Sequence, residues 1–302
     1  MAYDPTDLRS TLPSAAATAT PERFSGSEHV RLRDLAPAEK TGDVATWYAR
    51  GQNFVVGYSD IDGTATFTRS RQPDEYVVLL ADDALAAVVD APGEQVSARG
   101  RTMLVVPPGD STVTVTGTGR VLRLLTTRSE DVATLAANAD SYAEPHENIP
   151  PFEPWPQPLG GYRVRAYDLT VPPLANPAFR LYRCTTFMVN FIDPKQGPRD
   201  PSKLSPHKHD DFEQCSIVLA GEYTHHIRWP WTTDKAQWRA DEHETVLAPA
   251  VTVIPPPSLH TSEAIGAGAN HLIDVFSPPR FDFSAMEGWV FNAADYPAPD
   301  AR

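Results

Sequence analysis

The 302-residue sequence lacks any apolar run close to the roughly 18 residues that a membrane-spanning helix needs. Its start, MAYDPTDLRS, lacks the basic segment followed by an apolar segment that marks a secretory signal peptide. It has only two cysteines, Cys184 and Cys215, which are too few for a disulfide framework. We therefore expect a cytoplasmic protein with two reduced thiols and no membrane partner.

Positive charge is also scarce, because 26 Lys and Arg against 39 Asp and Glu give a formal net charge of −13 at pH 7. Nucleic-acid phosphates and anionic lipid headgroups repel such a chain. The sequence has no glycine-rich phosphate loop, no G-x-S-x-G elbow and no Cys-x-x-Cys pair. We therefore expect a small-molecule substrate, no nucleic-acid partner, and neither nucleotide-dependent nor serine-hydrolase chemistry.

Proline, by contrast, is abundant, with 30 of the 302 residues, about twice the usual share. Prolines interrupt helices and favour short elements joined by rigid turns. Short β-prone runs such as NFVVGYS, EYVVLLA and TMLVVPP are separated by Gly, Pro and Asp. These features predict an all-β fold of antiparallel sandwich or barrel type. The single clear helix signal is SEDVATLAANADSY, with Ser129 as its N-cap.

The strand pattern occurs twice, before and after the proline-rich segment EPHENIPPFEPWPQPLGG. Three segments of the first half match three of the second in the same order: 50–58 with 183–191, 75–83 with 214–222, and 103–112 with 251–260. The offset drifts only from 133 to 148 residues, as loop insertions would make it. This regularity indicates a duplicated β domain.

The duplication suggests a division of the chain into five parts. We expect an irregular N-terminal arm at 1–28, a first barrel at 29–128, a short helix and proline-rich linker at 129–160, a second barrel at 161–285, and a tail at 286–302. The linker should be extended and fairly stiff because of its prolines.

Histidine is unevenly distributed between the two repeats. Seven of the nine histidines lie in the second repeat: His207, His209, His225, His226, His243, His260 and His271. The barrel-forming part of the first repeat, 50–128, has none. The counterparts of three of these histidines are hydroxyl residues, namely Thr68, Ser70 and Thr112. Hydroxyls hold a divalent transition metal poorly, so any metal should lie in the second repeat alone.

The second repeat has residues at the spacing of a metal site. Residues i and i+2 of an extended segment point to one side, so His207 and His209 can aim two imidazoles at one point. His260, after the proline-rich turn in VIPPPSLHTSE, can add a third imidazole from a neighbouring strand. Either Glu213 or Gln214 would complete the set, and a carboxylate is by itself the better ligand.

This pattern resembles the metal-binding motifs of the cupin superfamily, and the duplication resembles a bicupin. The first cupin motif reads G-x5-H-x-H-x3,4-E-x6-G. His207, His209 and Gly221 match it, and Gln214 stands where the glutamate usually is. The resemblance covers roughly residues 45–285.

The second cupin motif, G-x5-P-x-G-x2-H-x3-N, is matched in part. Pro255 and His260 stand at its proline and histidine, while Pro257 and Ala264 replace the glycine and the asparagine. The resemblance implies two tandem antiparallel cupin-type β-barrels of the RmlC-like jelly-roll kind. The first would be degenerate and structural, and the second would bind a metal.

The resemblance also favours Gln214 over Glu213 as the fourth ligand. The family's ligand stands seven residues before the motif glycine, which is Gln214 here. Alternation along the strand then turns Ser216 and Val218 inward as well, and Glu213 outward. Three neutral imidazoles and a neutral amide would leave a divalent metal its full charge, which favours an anionic oxygen ligand.

The resemblance implies a metal-dependent enzyme, with the reaction left open because cupins host many activities. Our first expectation is an oxygenase or dioxygenase, with Fe(II) favoured and Zn, Ni, Mn or Cu as other candidates, acting on a small enolisable or aromatic oxygen-bearing substrate. Glu213 or an inward histidine, His225 or else His226, would handle protons. One alternative is an oxygen-independent Lewis-acid isomerase or lyase acting on a sugar or keto acid. The other is a non-catalytic, ligand-binding bicupin that holds its metal structurally.

The insertion HHIRWPWTTDKAQWRADEHE, between the two motifs, carries Trp229, Trp231 and Trp238. Tryptophans there are typical of a lid over a pocket, and also of a contact between barrels or in a homodimer. Near the end of the second repeat, Asp274 is a candidate for an inward base or a partner of a ligand. Arg280 is a candidate for a salt bridge at the end of the barrel.

Overall fold

The computed structural model describes residues 25–172 and 180–299, so most of the predicted N-terminal arm lies outside the described residues. Strands make up 49% of the described residues, and the α-helices among them are two single turns. No helix in the described ranges is long and apolar enough to cross a membrane. The predicted all-β fold is confirmed.

The strands are numbered in chain order. The first ten are β1 (Glu28–Arg31), β2 (Glu39–Thr41), β3 (Val44–Arg50), β4 (Phe54–Gln72), β5 (Tyr76–Leu80), β6 (Leu85–Ala91), β7 (Glu94–Arg99), β8 (Thr102–Val106), β9 (Gly109–Thr126) and β10 (Arg165–Asp168). The others are β11 (Leu181–Arg183), β12 (Met188–Phe191), β13 (Lys195–Gln196), β14 (Glu213–Ala220), β15 (Glu222–Arg228), β16 (Glu242–Leu247), β17 (Ala250–Ile254), β18 (Leu259–Ala264) and β19 (Ala269–Ser277). The helices are α1 (Glu130–Ala133) and α2 (Phe281–Ser284).

The strands form three sheets with antiparallel pairing. The nine-stranded sheet has the order β10-β8-β5-β9-β4-β3-β2, and β6 joins it on β9 with β7 beyond. The seven-stranded sheet has the order β1-β17-β14-β19-β12-β11, with β13 also on β19. The third sheet is β16-β15-β18. Apart from β1 and β10, each half of the chain builds its own sheets, as a duplicated jelly roll would.

The two halves exchange one strand each. β1, at the start of the chain, pairs with β17 of the second half, and Val30 lies opposite Val251. β10, which follows the linker, pairs with β8 of the first half. These pairings cross the predicted division at 29–128 and 161–285, which itself remains a prediction.

The main core lies between the halves. One face of β14 contributes Cys215, Ile217 and Leu219, and strands of the first half contribute apolar residues to the same cluster, among them Val56, Val77 and Leu124. Val218, on the other face of β14, belongs to a different cluster. The alternation predicted for this strand is confirmed. Burying each such side chain contributes roughly 1.5–3 kcal/mol. Both cysteines are free and buried in this core, as expected.

A second apolar cluster fills the first barrel. It includes Phe67, Val78, Leu104 and Val113, and apolar residues of the segment after β9 close it at one end. The barrel that lacks histidines is therefore packed with side chains that offer no ligand to a metal.

The helix predicted from SEDVATLAANADSY is much shorter than expected. α1 is a single turn, and Ser129, although at its N-cap, makes no side-chain cap bond. The Ser129 hydroxyl donates to Gln72 instead. Val132 and Ala136 pack onto the end of the first barrel, and that packing, rather than helical periodicity, shapes the segment.

Candidate metal centre

His207 and His260 are brought together by their backbones. The His207 N–H donates to the His260 carbonyl at 3.0 Å, and the His260 N–H donates to the His207 carbonyl at 2.8 Å. Residues paired in this way in an antiparallel bridge carry their side chains on the same face. Their ring centroids lie 4.5 Å apart.

His209 joins this pair from two residues further along the chain. Its ring centroid is 5.0 Å from that of His260 and 6.5 Å from that of His207. The ring stacks on Phe212 at 4.0 Å, and neither ring nitrogen has a hydrogen-bond partner of good geometry within the described residues. Burial, followed by the electrostatic influence of the neighbouring His260 and Arg280, holds the pKa of His209 well below its usual range. His209 is therefore a neutral imidazole.

The local sequence fixes the tautomer of two of these rings. His207 Nδ1 lies 3.0 Å from the Ser205 carbonyl oxygen, and His260 Nδ1 lies 3.1 Å from that of Ser258. A carbonyl oxygen only accepts hydrogen bonds, so each Nδ1 carries the proton and each Nε2 keeps its lone pair. The Ser-x-His sequence, present at both places, thus leaves Nε2 as the ligand atom.

Gln214 completes the cluster with an oxygen atom. Its Oε1 lies 3.1 Å from His260 Nε2, and its Nε2 donates to Ser216 Oγ at 3.3 Å and to Asp274 Oδ1 at 3.2 Å. His260 therefore faces an oxygen acceptor at each ring nitrogen, whereas a neutral imidazole has one proton to donate. A cation between His260 Nε2 and Gln214 Oε1 would relieve this opposition of lone pairs, so the donor set fits a divalent metal.

Glu213 does not join the cluster. It is fully buried on the opposite face of β14, where its carboxylate accepts the backbone N–H groups of Gln52 and Asn53, each at 2.9 Å. Burial raises the pKa of Glu213 to about 7, against the lowering effect of these two hydrogen bonds. The proton-transfer role predicted for Glu213 does not fit this placement, because the carboxylate is held between the two halves of the chain.

Glu75 makes the reciprocal contact. It accepts from the Thr185 backbone N–H at 3.0 Å, the Thr185 hydroxyl at 2.8 Å and the Tyr296 hydroxyl at 2.9 Å. Glu75 of the first half thus reaches the second half as Glu213 reaches the first. The repeat alignment therefore needs a correction of one residue, since Glu75 corresponds to Glu213 rather than to Gln214.

His225 is the histidine of its pair that faces the barrel interior. β15 places Ile227 opposite His260 and His225 opposite Ser262, which puts His225 on the same face as His260. The ring is fully buried, Nδ1 lies 2.9 Å from Ser262 Oγ, and Nε2 has no partner in the described part of the chain. Burial and the neighbouring histidines lower the pKa of His225 to about 3.

His226 points the other way. Its Nε2 lies 3.0 Å from Glu263 Oε2, and its Nδ1 lies 2.7 Å from His243 Nδ1. His226 and His243 thus lie on the outer face of the three-stranded sheet and do not belong to the cluster.

A row of polar side chains crosses the interior of the second barrel. On β14 it passes through the next residue after Gln214 that faces the interior. In register across β1, β17, β14 and β19, the row consists of His29, Thr252, Ser216 and Asp274. His29 Nδ1 lies 3.2 Å from Thr252 Oγ1, and Ser216 Oγ donates to Asp274 at 2.6 Å. The sequence did not predict that His29 and Thr252 lie in this interior, whereas alternation along β14 did place Ser216 there. The polar residue between two valines in VTV was the available signal for Thr252.

The three imidazoles are not arranged as a closed ligand set. Over residues 25–172 and 180–299, no three His, Cys, Asp or Glu side chains stand at metal-ligating distances. Thr68, Ser70 and Thr112, the first-repeat counterparts of the histidines, line an open depression of about 310 Å³. Thr68 and Ser70 are exposed there, so this depression is not an interior site.

The other candidates of the second half are structural or exposed. Trp229 is buried and its indole donates to Glu242 at 2.7 Å, whereas Trp231 and Trp238 are exposed and stack on each other at 4.7 Å. Arg280 is buried against phenylalanine rings and forms the expected salt bridge, with Asp282 at 2.6 Å.

Comparison with known proteins gives matches in structure alone. No family model and no curated protein matches the sequence. The oxalate decarboxylase of Lactobacillus farciminis, solved as a formate complex, has a TM-score of 0.53 and 12% identity over 88% of this chain and 89% of that chain. A variant of the Bacillus subtilis oxalate decarboxylase has a TM-score of 0.55 and 12% identity over 85% and 79%. At this identity the likeness shows the fold, which is all-β and of the cupin type.

Proposed function

We propose that the second barrel holds one divalent metal ion through His207, His209, His260 and Gln214. The observation that carries the proposal is that His260 has an oxygen acceptor at both ring nitrogens, Gln214 Oε1 at 3.1 Å from Nε2 and the Ser258 carbonyl at 3.1 Å from Nδ1. Imidazole χ2 torsions are broad, so the rings can turn toward one ion without moving the backbone. Three imidazole nitrogens and one amide oxygen suit Fe, Zn, Ni, Cu or Mn, and the earlier preference for Fe(II) has no support in this donor set.

A metal held only by neutral ligands keeps its full charge, and when bound it supplies Lewis acidity toward substrate oxygens. The remaining steps belong to the chain. His209 and Phe212 exclude water from one side of the site, and His225 holds a neutral imidazole in the same interior. We infer that the substrate is a small anionic molecule with oxygen donors. The two structural neighbours act, by name, on oxalate, which is such an anion.

We propose that the protein is an enzyme and keep two reaction types. The first is the oxygenase or dioxygenase expected from the sequence. An oxygen-independent isomerase or lyase is favoured by one observation: His225 Nε2 is buried in the same interior as the ligands and has no hydrogen-bond partner among the described residues, so it can contact a bound substrate. With candidate diketones, hydroxy acids and keto acids, oxygen consumption that tracks turnover supports the first type. Turnover that persists without oxygen supports the second.

The first barrel is proposed to be structural, because apolar side chains fill its interior. The division of the chain at 29–128 and 161–285 is kept as part of this proposal, with β1 and β10 as exchanged strands. The homodimer and the cytoplasmic location remain predictions from the sequence.

Metal binding is tested with Co²⁺, whose absorption reports its ligands. The full-length chain, stripped with a chelator, should bind one Co²⁺, and His260→Ala should weaken binding at least a hundredfold because it removes one of the three imidazoles. His243→Ala is the matched control, since this histidine lies on the outer face, and it should bind as the wild type does. Equal affinities of His260→Ala and the wild type would contradict the proposal.

A further inference from the structure

The orientation of the Gln214 amide is fixed by Asp274 of β19. Asp274 Oδ1 accepts from Gln214 Nε2 at 3.2 Å and from Ser216 Oγ at 2.6 Å. An oxygen with two donors acts as an acceptor, as an ionised carboxylate does. If the Gln214 amide turned over, its Oε1 would face this carboxylate oxygen and the two acceptors would repel each other. Asp274 thus holds the nitrogen of Gln214 toward itself.

Without such a restraint the amide would favour the opposite orientation. His260 Nε2 keeps a lone pair, because Nδ1 donates to the Ser258 carbonyl. A free Gln214 would turn its amide nitrogen to that lone pair and donate a hydrogen bond, which is favourable in a buried site. The structure has the oxygen there instead, at 3.1 Å. The cluster is therefore held in an arrangement that suits a bound cation better than it suits hydrogen bonding within the cluster.

We propose that Asp274 is a positioning residue that keeps the oxygen of Gln214, and not its nitrogen, directed at the metal. The proposal rests on the proposed metal centre and deepens it by naming what selects a neutral oxygen as the fourth ligand. Asp274 bonds to Gln214 and is not itself one of the proposed ligands, so its negative charge would be near the site while the ligands remain neutral. Preorganisation of this kind raises affinity by removing the competing arrangement before binding.

The first test compares Co²⁺ affinities of the full-length apo chains. Asparagine at position 274 has the shape of aspartate but can either donate or accept, so Asp274→Asn no longer enforces one orientation of Gln214. We expect binding about tenfold weaker than in the wild type. Thr252→Val is the control, because Thr252 lies in the same interior row but bonds to His29. It should bind within twofold of the wild type, and unfolding midpoints show whether each variant is folded.

A double-mutant cycle separates orientation from charge. In Gln214→Glu both terminal atoms are oxygens, so turning the side chain over changes nothing. Positioning by Asp274 predicts that adding Asp274→Asn to Gln214→Glu causes no further loss of Co²⁺ affinity. A role through charge alone predicts the same loss of about tenfold in both backgrounds, and that result would overturn the proposal. Wild-type affinity in the single variant Asp274→Asn would overturn it too.

A measurement without metal or mutation keeps the two proposals separate. In the apo wild type, the side-chain amide protons of Gln214 should be protected from exchange and bonded to Asp274 and Ser216, with none on His260. If the wild type binds no Co²⁺, the metal centre is wrong, and these amide signals still decide the orientation. A Gln214 amide proton bonded to His260 Nε2 in the apo wild type would overturn the positioning role.

Discussion

Buried histidines of this protein stay neutral for one reason, which is the cost of placing a charge away from water. His271 is the clearest case outside the metal centre. It packs edge-on against Phe191 at 5.3 Å, and neither ring nitrogen has a partner among the residues that the structure describes. Burial, and after it the charge of Arg120, lowers the pKa of His271 to about 4. The same effect lowers the pKa of His209, one of the proposed ligands, which must be unprotonated to bind a metal.

His271 should make the protein sensitive to acid. Its pKa is about 4 when folded and about 6.5 when unfolded, so the unfolded chain binds more protons between these values. The contribution of His271 to the free energy of unfolding is fully present above pH 6.5. It is lost as the pH falls toward 4, by up to about 1.4 kcal/mol per pH unit. His271→Leu removes this contribution, so urea unfolding at pH 7, 6 and 5 should show the stability of the variant rising relative to that of the wild type as the pH falls.

The control for this experiment is His243→Leu, a substitution of the same kind on the outer face of the three-stranded sheet. It should leave the slope of stability against pH unchanged. A slope for His271→Leu equal to that of the wild type would show that His271 is not a buried neutral group.

At the scale of elements, two strands and two carboxylates join the halves. β1 and β10 are exchanged, and close to them Glu75 and Glu213 each accept backbone N–H groups of the opposite half. A carboxylate with several donors satisfies groups that would otherwise be buried without partners, each at a cost of about 1–3 kcal/mol. The reciprocal contacts explain why both repeats keep a buried glutamate although only one repeat has histidines.

Glu75→Gln should destabilise the protein. The amide has one acceptor oxygen where the carboxylate has two, so the Thr185 N–H and the Tyr296 hydroxyl cannot both keep their bonds. We expect the free energy of unfolding to fall by about 2 kcal/mol, measured by urea unfolding at pH 7. Glu287→Gln, at an exposed position, should change it by less than about 0.5 kcal/mol. Equal stability of Glu75→Gln and the wild type would contradict the account of these contacts.

At the scale of the whole molecule, the fold class follows from the sequence because strand signals and their duplication are local patterns. Alternation along β14 was predictable for the same reason, since each side chain of a strand alternates between two faces. The length of α1 was not, because packing of Val132 and Ala136 on the first barrel overrides helix propensity.

The parts of the site that the sequence did not predict depend on long-range pairing. His29 reaches the second barrel because β1 pairs with β17, a contact between residues more than two hundred positions apart. The tautomers of His207 and His260 and the orientation of Gln214 depend on carbonyl and carboxylate oxygens that alternation alone does not place. The alignment of Glu75 had to be shifted by one residue for the same reason. The offset between the two repeats drifts along the chain, so it does not fix the register of a single strand.

The most direct test of the central claim is a count of the ligands around the bound metal. X-ray absorption of the Co²⁺-loaded full-length chain should show about three imidazoles and further oxygen donors, at roughly 2.0–2.2 Å. His260→Ala should lower the imidazole count by one in whatever Co²⁺ it retains. Co²⁺ surrounded by oxygen donors without imidazole, or a wild-type chain that retains none, would contradict the account.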